Sequence, residues 1–200
     1  MVTESTDLIK EYLEHLALTV SAISHQEISA VVQVLFIAWR DGHTVFLCGN
    51  GGSATVASHM ANDLNKYTIV AGKPRLKAIA LTDNIPVITA WANDTDYANI
   101  FSEQLLNLAN SKDVVIAIST SGNSKNIVRA LEVARELKII TIGFTGKFGG
   151  KLKNLVDYCI FIPDDHIGRQ EDGHIILDHV IAHTLQWMIA NEGSNLGDKT

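Results

Sequence analysis

FLCGNGGSATVASHMAND, residues 46–63, passes from an apolar run through Gly49-Asn50-Gly51-Gly52-Ser53 into a segment with helical spacing. A short buried strand, a glycine turn and a helix start, in that order, open a βαβ unit. Apolar runs of the same kind stand at 44–48, 76–81, 113–118, 139–144 and 158–162, mostly non-alternating and rich in Val, Ile, Leu or Phe. Strands buried on both faces of a parallel sheet read this way. Helical patterns lie between them at about 53–66, 97–110 and 123–138, and a last helix at about 170–190 carries Ile175, Ile176, Val180, Ile181, Leu185 and Met188. The alternation predicts an α/β fold with a doubly wound, five-stranded parallel sheet flanked by helices.

Ahead of the first run, Leu8, Tyr12, Leu16 and Val20, with Leu13 and Ile23 beside them, recur at helical steps, and a second apolar helix is expected over 27–39. Residues 1–40 therefore read as a helical pair, closed by Asp41-Gly42; 41–192 form the α/β unit; and 193–200 form a frayed tail. At 200 residues, 46% hydrophobic and 19% charged, one globular domain is the expectation. The acidic, polar start lacks the basic and apolar regions of a secretory signal, so a cytoplasmic protein is expected. Cys48 and Cys159 sit inside apolar runs and read as buried thiols, not a disulfide. A net charge of −6 without a basic block argues against nucleic-acid binding.

Ligands of open α/β sheets bind beyond the carboxyl ends of the strands, which directs attention to two loops. In the first, glycine lets the backbone turn tightly while the amides opening the next helix attract an anion such as phosphate. Gly49, Gly51 and Ala54 also satisfy G-x-G-x-x-A, but Asp83, the residue that would hold a ribose, lies beyond the roughly 20-residue spacing of a dinucleotide site. No Walker lysine follows, and a turn needing glycine for geometry alone remains open. The second loop, Ser119-Thr120-Ser121-Gly122-Asn123-Ser124, repeats the design with hydroxyls and an amide as neutral donors. It is the better phosphate candidate, against the alternative that its serines and asparagine only cap a helix.

His59 and Asp63 stand one turn apart on one helix face, within reach of a shared metal or substrate. The last helix offers Glu171, Asp172 and His174, then Asp178, His179 and His183. His174 and His179 are about 140° apart and cannot both face one site, whereas His179 and His183 can. His174 and His183 read more simply as structural.

Taken together, CGNGGS with His59 and Asp63 downstream, Ala92-Asn93-Asp94, ISTSGNS, TGKFGGK and RQEDGHIILDH resemble the sugar isomerase (SIS) domain proteins of the phosphoheptose isomerase group. The similarity spans nearly the whole chain. It implies a single SIS domain and aldose–ketose isomerisation of sedoheptulose 7-phosphate through an enediol. It places substrate contacts on Asn50, Gly51, Gly52, Ser53, Asp63, Asn93, Asp94, Ser119, Thr120, Ser121, Ser124 and Glu171, with the serine loop holding the phosphate. It implies one zinc ion per subunit on His59, Asp63, Glu171 and His179, a catalytic base at Asp63 and an acid at His179. It also implies a homotetramer with sites between subunits, in which the opening helices would oligomerise.

Two positions depart from the group. Its base is a glutamate, and Asp63 is one methylene shorter, enough to withdraw the carboxylate by roughly 1.5 Å. Where it has glutamine, Glu171 stands, although a one-residue slip would offer Gln170. Two rival readings accompany this one: a regulator of the replication initiator protein, from a branch that lacks both the carboxylate and the acid histidine, and a sister isomerase or sensor for another sugar phosphate. Asp63 and His179 favour the enzyme over the regulator.

Overall fold

The computed structural model describes residues 2–193; of the tail expected to fray, 193–200, all but Gly193 lies outside the described residues. Two helices open the chain, α1 (Val2–Ser21) and α2 (His25–Asp41), the second capped by Ser24, whose hydroxyl accepts from the Glu27 amide at 3.2 Å. Then follow β1 (Thr44–Gly49), α3 (Gly52–Lys66), β2 (Lys77–Ala80), α4 (Ile85–Asp94), α5 (Ser102–Leu108), β3 (Val114–Ser119), α6 (Lys125–Glu136), β4 (Ile140–Gly146), β5 (Tyr158–Ile162) and α7 (Ile167–Asn191).

The five strands form one parallel sheet in the order β2-β1-β3-β4-β5. Successive residues of β1 point to opposite faces. Val45 and Leu47 meet α2, α3 and α7 on one side, while Phe46 and Cys48 meet α5 and α6 on the other. Both faces are therefore covered, as the non-alternating apolar runs predict. Burial also pushes the free Cys48 thiol up to about 12 and the half-buried Cys159 thiol up to about 11, so neither ionises readily at neutral pH.

Three elements differ from expectation. β2 alternates exposed and buried residues because it is the sheet edge, with Lys77 and Ile79 facing outward. Residues 97–110 do not form one helix; a single 3-10 turn, Tyr97–Asn99, precedes the short α5. And α4 was not expected, because it buries no residue completely and depends on local chemistry: Asn84 accepts from the Val87 amide and Pro86 stands in the first turn.

The opening helices have unequal roles. α2 contributes Val31, Leu35, Ala38 and Trp39 to the core, whereas α1 lies outside it and leaves Leu8, Ile9, Leu13 and Leu18 exposed. α1 is held by polar contacts at the start of α7. Thr19 donates to Asp164, which Arg169 grips with two bonds of 2.7 and 2.9 Å, and Tyr12 donates to Asp172 at 2.6 Å. The Arg169 guanidinium holds the Asp164 carboxyl well below the usual carboxylate range.

Candidate active site

The strand order reverses direction between β1 and β3, which is where open α/β sheets leave a crevice for ligands. Register pairs Gly49 with Ile118, so the glycine turn and the serine loop leave the sheet side by side. Gly51, with φ 54° and ψ −123°, adopts a conformation open only to glycine. A β-carbon on Gly52 would overlap the Glu171 carboxylate, so the missing side chain is what allows α7 to bring that acid over the turn.

Neither N-cap residue in the crevice caps its helix with a side chain: Gly51 has none, and the Ser124 hydroxyl does not bond α6, whose Ile127 amide alone donates to Asn126 Oδ1 at 3.0 Å. Two sets of amides at helix N-termini are thus left for an anion. The serine loop is braced from beneath, its Thr120 and Gly122 carbonyls accepting from the Gly146 and Leu152 amides at 3.0 and 2.9 Å. A reciprocal amide pair ties the two loops together. Asn50 donates to Asn126 at 2.9 Å, Asn126 donates back at 2.8 Å, and the Tyr97 hydroxyl donates to Asn50 at 3.1 Å.

Farther along α3 and α7, His59, Asp63, Asp178 and His179 converge, each offering a ligand atom within 4.8 Å of the others. His59 Nδ1 lies 2.7 Å from Asp178 Oδ2 and 3.9 Å from Asp63 Oδ2, and the His59 and His179 rings meet edge to face at 5.2 Å. Asp178 is fully buried, and its Oδ1 has no hydrogen-bond partner among the described residues. The Asp178 hydrogen bond pushes the His59 pKa up. Burial pushes the Asp178 pKa up as well, outweighing the opposing bond from His59. A carboxylate and two imidazoles converging on one point, with a second, buried carboxylate bonded to His59, fit a divalent cation. Asp63 and His179, with Tyr67 and His183, also line a cavity of about 310 Å³.

The structure thus brings His59, Asp63 and His179 together, but not Glu171. Glu171 precedes His179 by eight residues on α7, about 12 Å of helix rise, so the two cannot hold one ion from the same chain. The one-residue ambiguity resolves: Gln170 is buried and donates to the Asp164 carbonyl at 2.8 Å, leaving Glu171 to face the glycine turn. Asn93 and Asp94 form the exposed last turn of α4 and bond each other at 2.8 Å. His174 is fully buried against the Phe144 ring, and His183 is exposed, its Nδ1 3.4 Å from the Tyr67 hydroxyl. The sequence reading does not single out Asn126 and names Asp178 on the last helix without assigning it a role. The signal for Asp178 was its place at helical spacing among Ile181, Leu185 and His174, a polar residue on an otherwise inward stripe.

The chain matches the SIS domain family over residues 10–146. It is 40% identical over 162 residues to the phosphoheptose isomerase of Clostridium acetobutylicum, covering 80% of this chain and 82% of that one. Identity to the Helicobacter pylori phosphoheptose isomerase is 38% over 190 residues, covering 93% and 98%. Among solved structures, the phosphoheptose isomerase of Neisseria gonorrhoeae superposes with a TM-score of 0.85 at 27% identity, covering 94% of this chain and all of that one.

Proposed function

Because the chain belongs to the phosphoheptose isomerase family of SIS-domain proteins, we propose that it interconverts D-sedoheptulose 7-phosphate and D-glycero-D-manno-heptose 7-phosphate. The observation that carries this reading is the combination of two uncapped helix starts at the switch point with a carboxylate and an imidazole side by side on α3 and α7. The uncapped amides and the hydroxyls of Ser119, Thr120, Ser121 and Ser124 hold the phosphoryl group without a basic patch. Asn50, Gly51, Gly52, Ser53, Asn93, Asp94 and Glu171 are assigned to the sugar.

In the ketose-to-aldose direction, Asp63 takes a proton from C1 to give the enediol and returns it to C2, while His179 moves the hydroxyl proton between the two neighbouring oxygens. His59, Asp63 and His179 would hold zinc, whose chemistry when bound is to polarise the carbonyl and acidify the adjacent carbon. Glu171 joins that set only from a neighbouring subunit.

The same arithmetic favours sites shared between subunits, as in the homotetramer that the resemblance implies. Asp63 lies 11 residues beyond Gly52, about 16 Å of helix rise, so the loops and the acid–base pair occupy different ends of α3 within one chain. Building sites between subunits brings a serine loop to a neighbour's cluster. The exposed apolar stripe of α1 and an apolar groove of about 440 Å³ between α2 and α7, lined by Ile28, Val32, Trp187 and Met188, suit such an assembly. The cytoplasm remains the proposed location, since a charged sugar phosphate stays in the compartment where it is made. No single described helix is long and apolar enough to cross a membrane.

Purified protein supplied with sedoheptulose 7-phosphate and zinc is expected to produce an aldoheptose 7-phosphate, followed by NMR of the anomeric protons. Absence of that product, with the ketose recovered intact, would sink the assignment.

A further inference from the structure

Asp178 carries a part in this site that the resemblance does not give it. Its carboxylate is fully enclosed between α3 and α7, on the inward stripe that also holds His174, Ile181 and Leu185, and it cannot turn to solvent. Its Oδ2 lies 2.7 Å from His59 Nδ1. That separation decides between two roles. Two ligand atoms of one tetrahedral zinc ion, each about 2.1 Å from the metal, stand about 3.4 Å apart. A spacing of 2.7 Å is too short for that and matches a charge-assisted hydrogen bond. Histidine ligands generally donate the second ring N–H to a carboxylate, which fixes the nitrogen that keeps the lone pair.

We infer that Asp178 is a positioning residue, holding His59 as the Nδ1–H tautomer so that Nε2 is the nitrogen that keeps a lone pair for a metal. The inference rests on reading His59 as a metal ligand. Asp178 supplies no atom to the substrate and moves no proton. It sets the ring angle and tautomer of a side chain that is otherwise 41% exposed and free to turn. This matters more here than beside a glutamate, because Asp63 reaches one methylene less far toward the same point.

The test uses Asp178→Asn, whose amide oxygen can accept the same N–H, and Asp178→Leu, which cannot accept it. In metal-free protein at about pH 9, where the imidazole is neutral, side-chain ¹⁵N NMR, assigned with a His59→Gln variant, is expected to show wild-type His59 as the Nδ1–H tautomer. Asp178→Asn keeps that tautomer and Asp178→Leu shifts the population toward Nε2–H. Zinc affinity, measured by chelator competition, is expected to fall about 10- to 100-fold in Asp178→Leu and only a few-fold in Asp178→Asn. A wild-type Nε2–H tautomer, or a population unchanged in Asp178→Leu, overturns the inference. So does an equally large affinity loss in both variants, which would make Asp178 a ligand itself. Should Asp178→Leu fail to fold, the wild-type tautomer and the Asp178→Asn affinity still decide. A wild-type protein that takes up no zinc overturns the metal reading instead, and the tautomer, which needs no metal, then decides Asp178's hold on His59 separately.

Discussion

Asp63→Asn is expected to leave the fold intact and lower kcat by about 10²- to 10⁴-fold, the usual contribution of a positioned general base. Asparagine keeps the size and polarity of the side chain but accepts no proton and binds a metal less well, so the loss is separated from packing and, with zinc content measured alongside, from metal binding. The side chain is only partly buried, at 17% exposure, and its contacts are polar, to His59 and Asn62. Its replacement therefore opens no cavity in the core. Steady-state turnover of sedoheptulose 7-phosphate, with circular dichroism as the control, checks this. Activity within about three-fold of wild type would remove Asp63 from the chemistry. Asp63→Glu is informative in the other direction. If the short side chain is compensated by a shift of α3, the longer carboxylate overshoots and turnover falls; if it is not, turnover rises.

The second large effect concerns stability. Burial, with the Phe144 ring stacked on it, depresses the His174 pKa from 6.5 to about 4, outweighing the opposing influence of the Thr145 backbone. Between those two values the unfolded chain binds a proton at this position and the folded chain does not, so stability falls as pH drops through the window. The full difference is about 3 kcal/mol, a large fraction of the 5–15 kcal/mol that holds a typical domain together. Denaturant unfolding at several pH values between 7 and about 4 measures it. His174→Leu is expected to flatten the fall relative to wild type, the two proteins otherwise sharing their titrating groups. Parallel curves would show that His174 does not titrate in this way.

What the sequence disclosed follows from how each element is stabilised. The five strands are buried on both faces, and burial writes itself as uninterrupted Val, Ile, Leu and Phe; all five were legible to within two residues at each end. α4 was not, because a helix that buries nothing completely leaves no apolar period, and its signals, a capping Asn84 and Pro86 in the first turn, read equally well as a turn. The start of α7 was placed three residues late because Gly168 and the capping His166 disguise it.

The site divides in the same way. The two loops carry their chemistry in their residue types, so glycine and serine pointed to an anion before any geometry was known. His59 and Asp63 share a helix and their spacing suffices to pair them. The meeting of α3 with α7 is a tertiary fact, and with it came the distance that separates Glu171 from His179 and the placement of Asp178 behind His59. No spacing within one helix could supply either.

The most direct test of the account is a crystal structure of Asp63→Asn with sedoheptulose 7-phosphate bound. The phosphoryl group is expected on the amides and hydroxyls of 119–124, with C1 and C2 of the sugar between residue 63 and His179 of one subunit or of two neighbours. A phosphoryl group bound away from that loop, or a sugar whose first two carbons lie out of reach of both side chains, would contradict it.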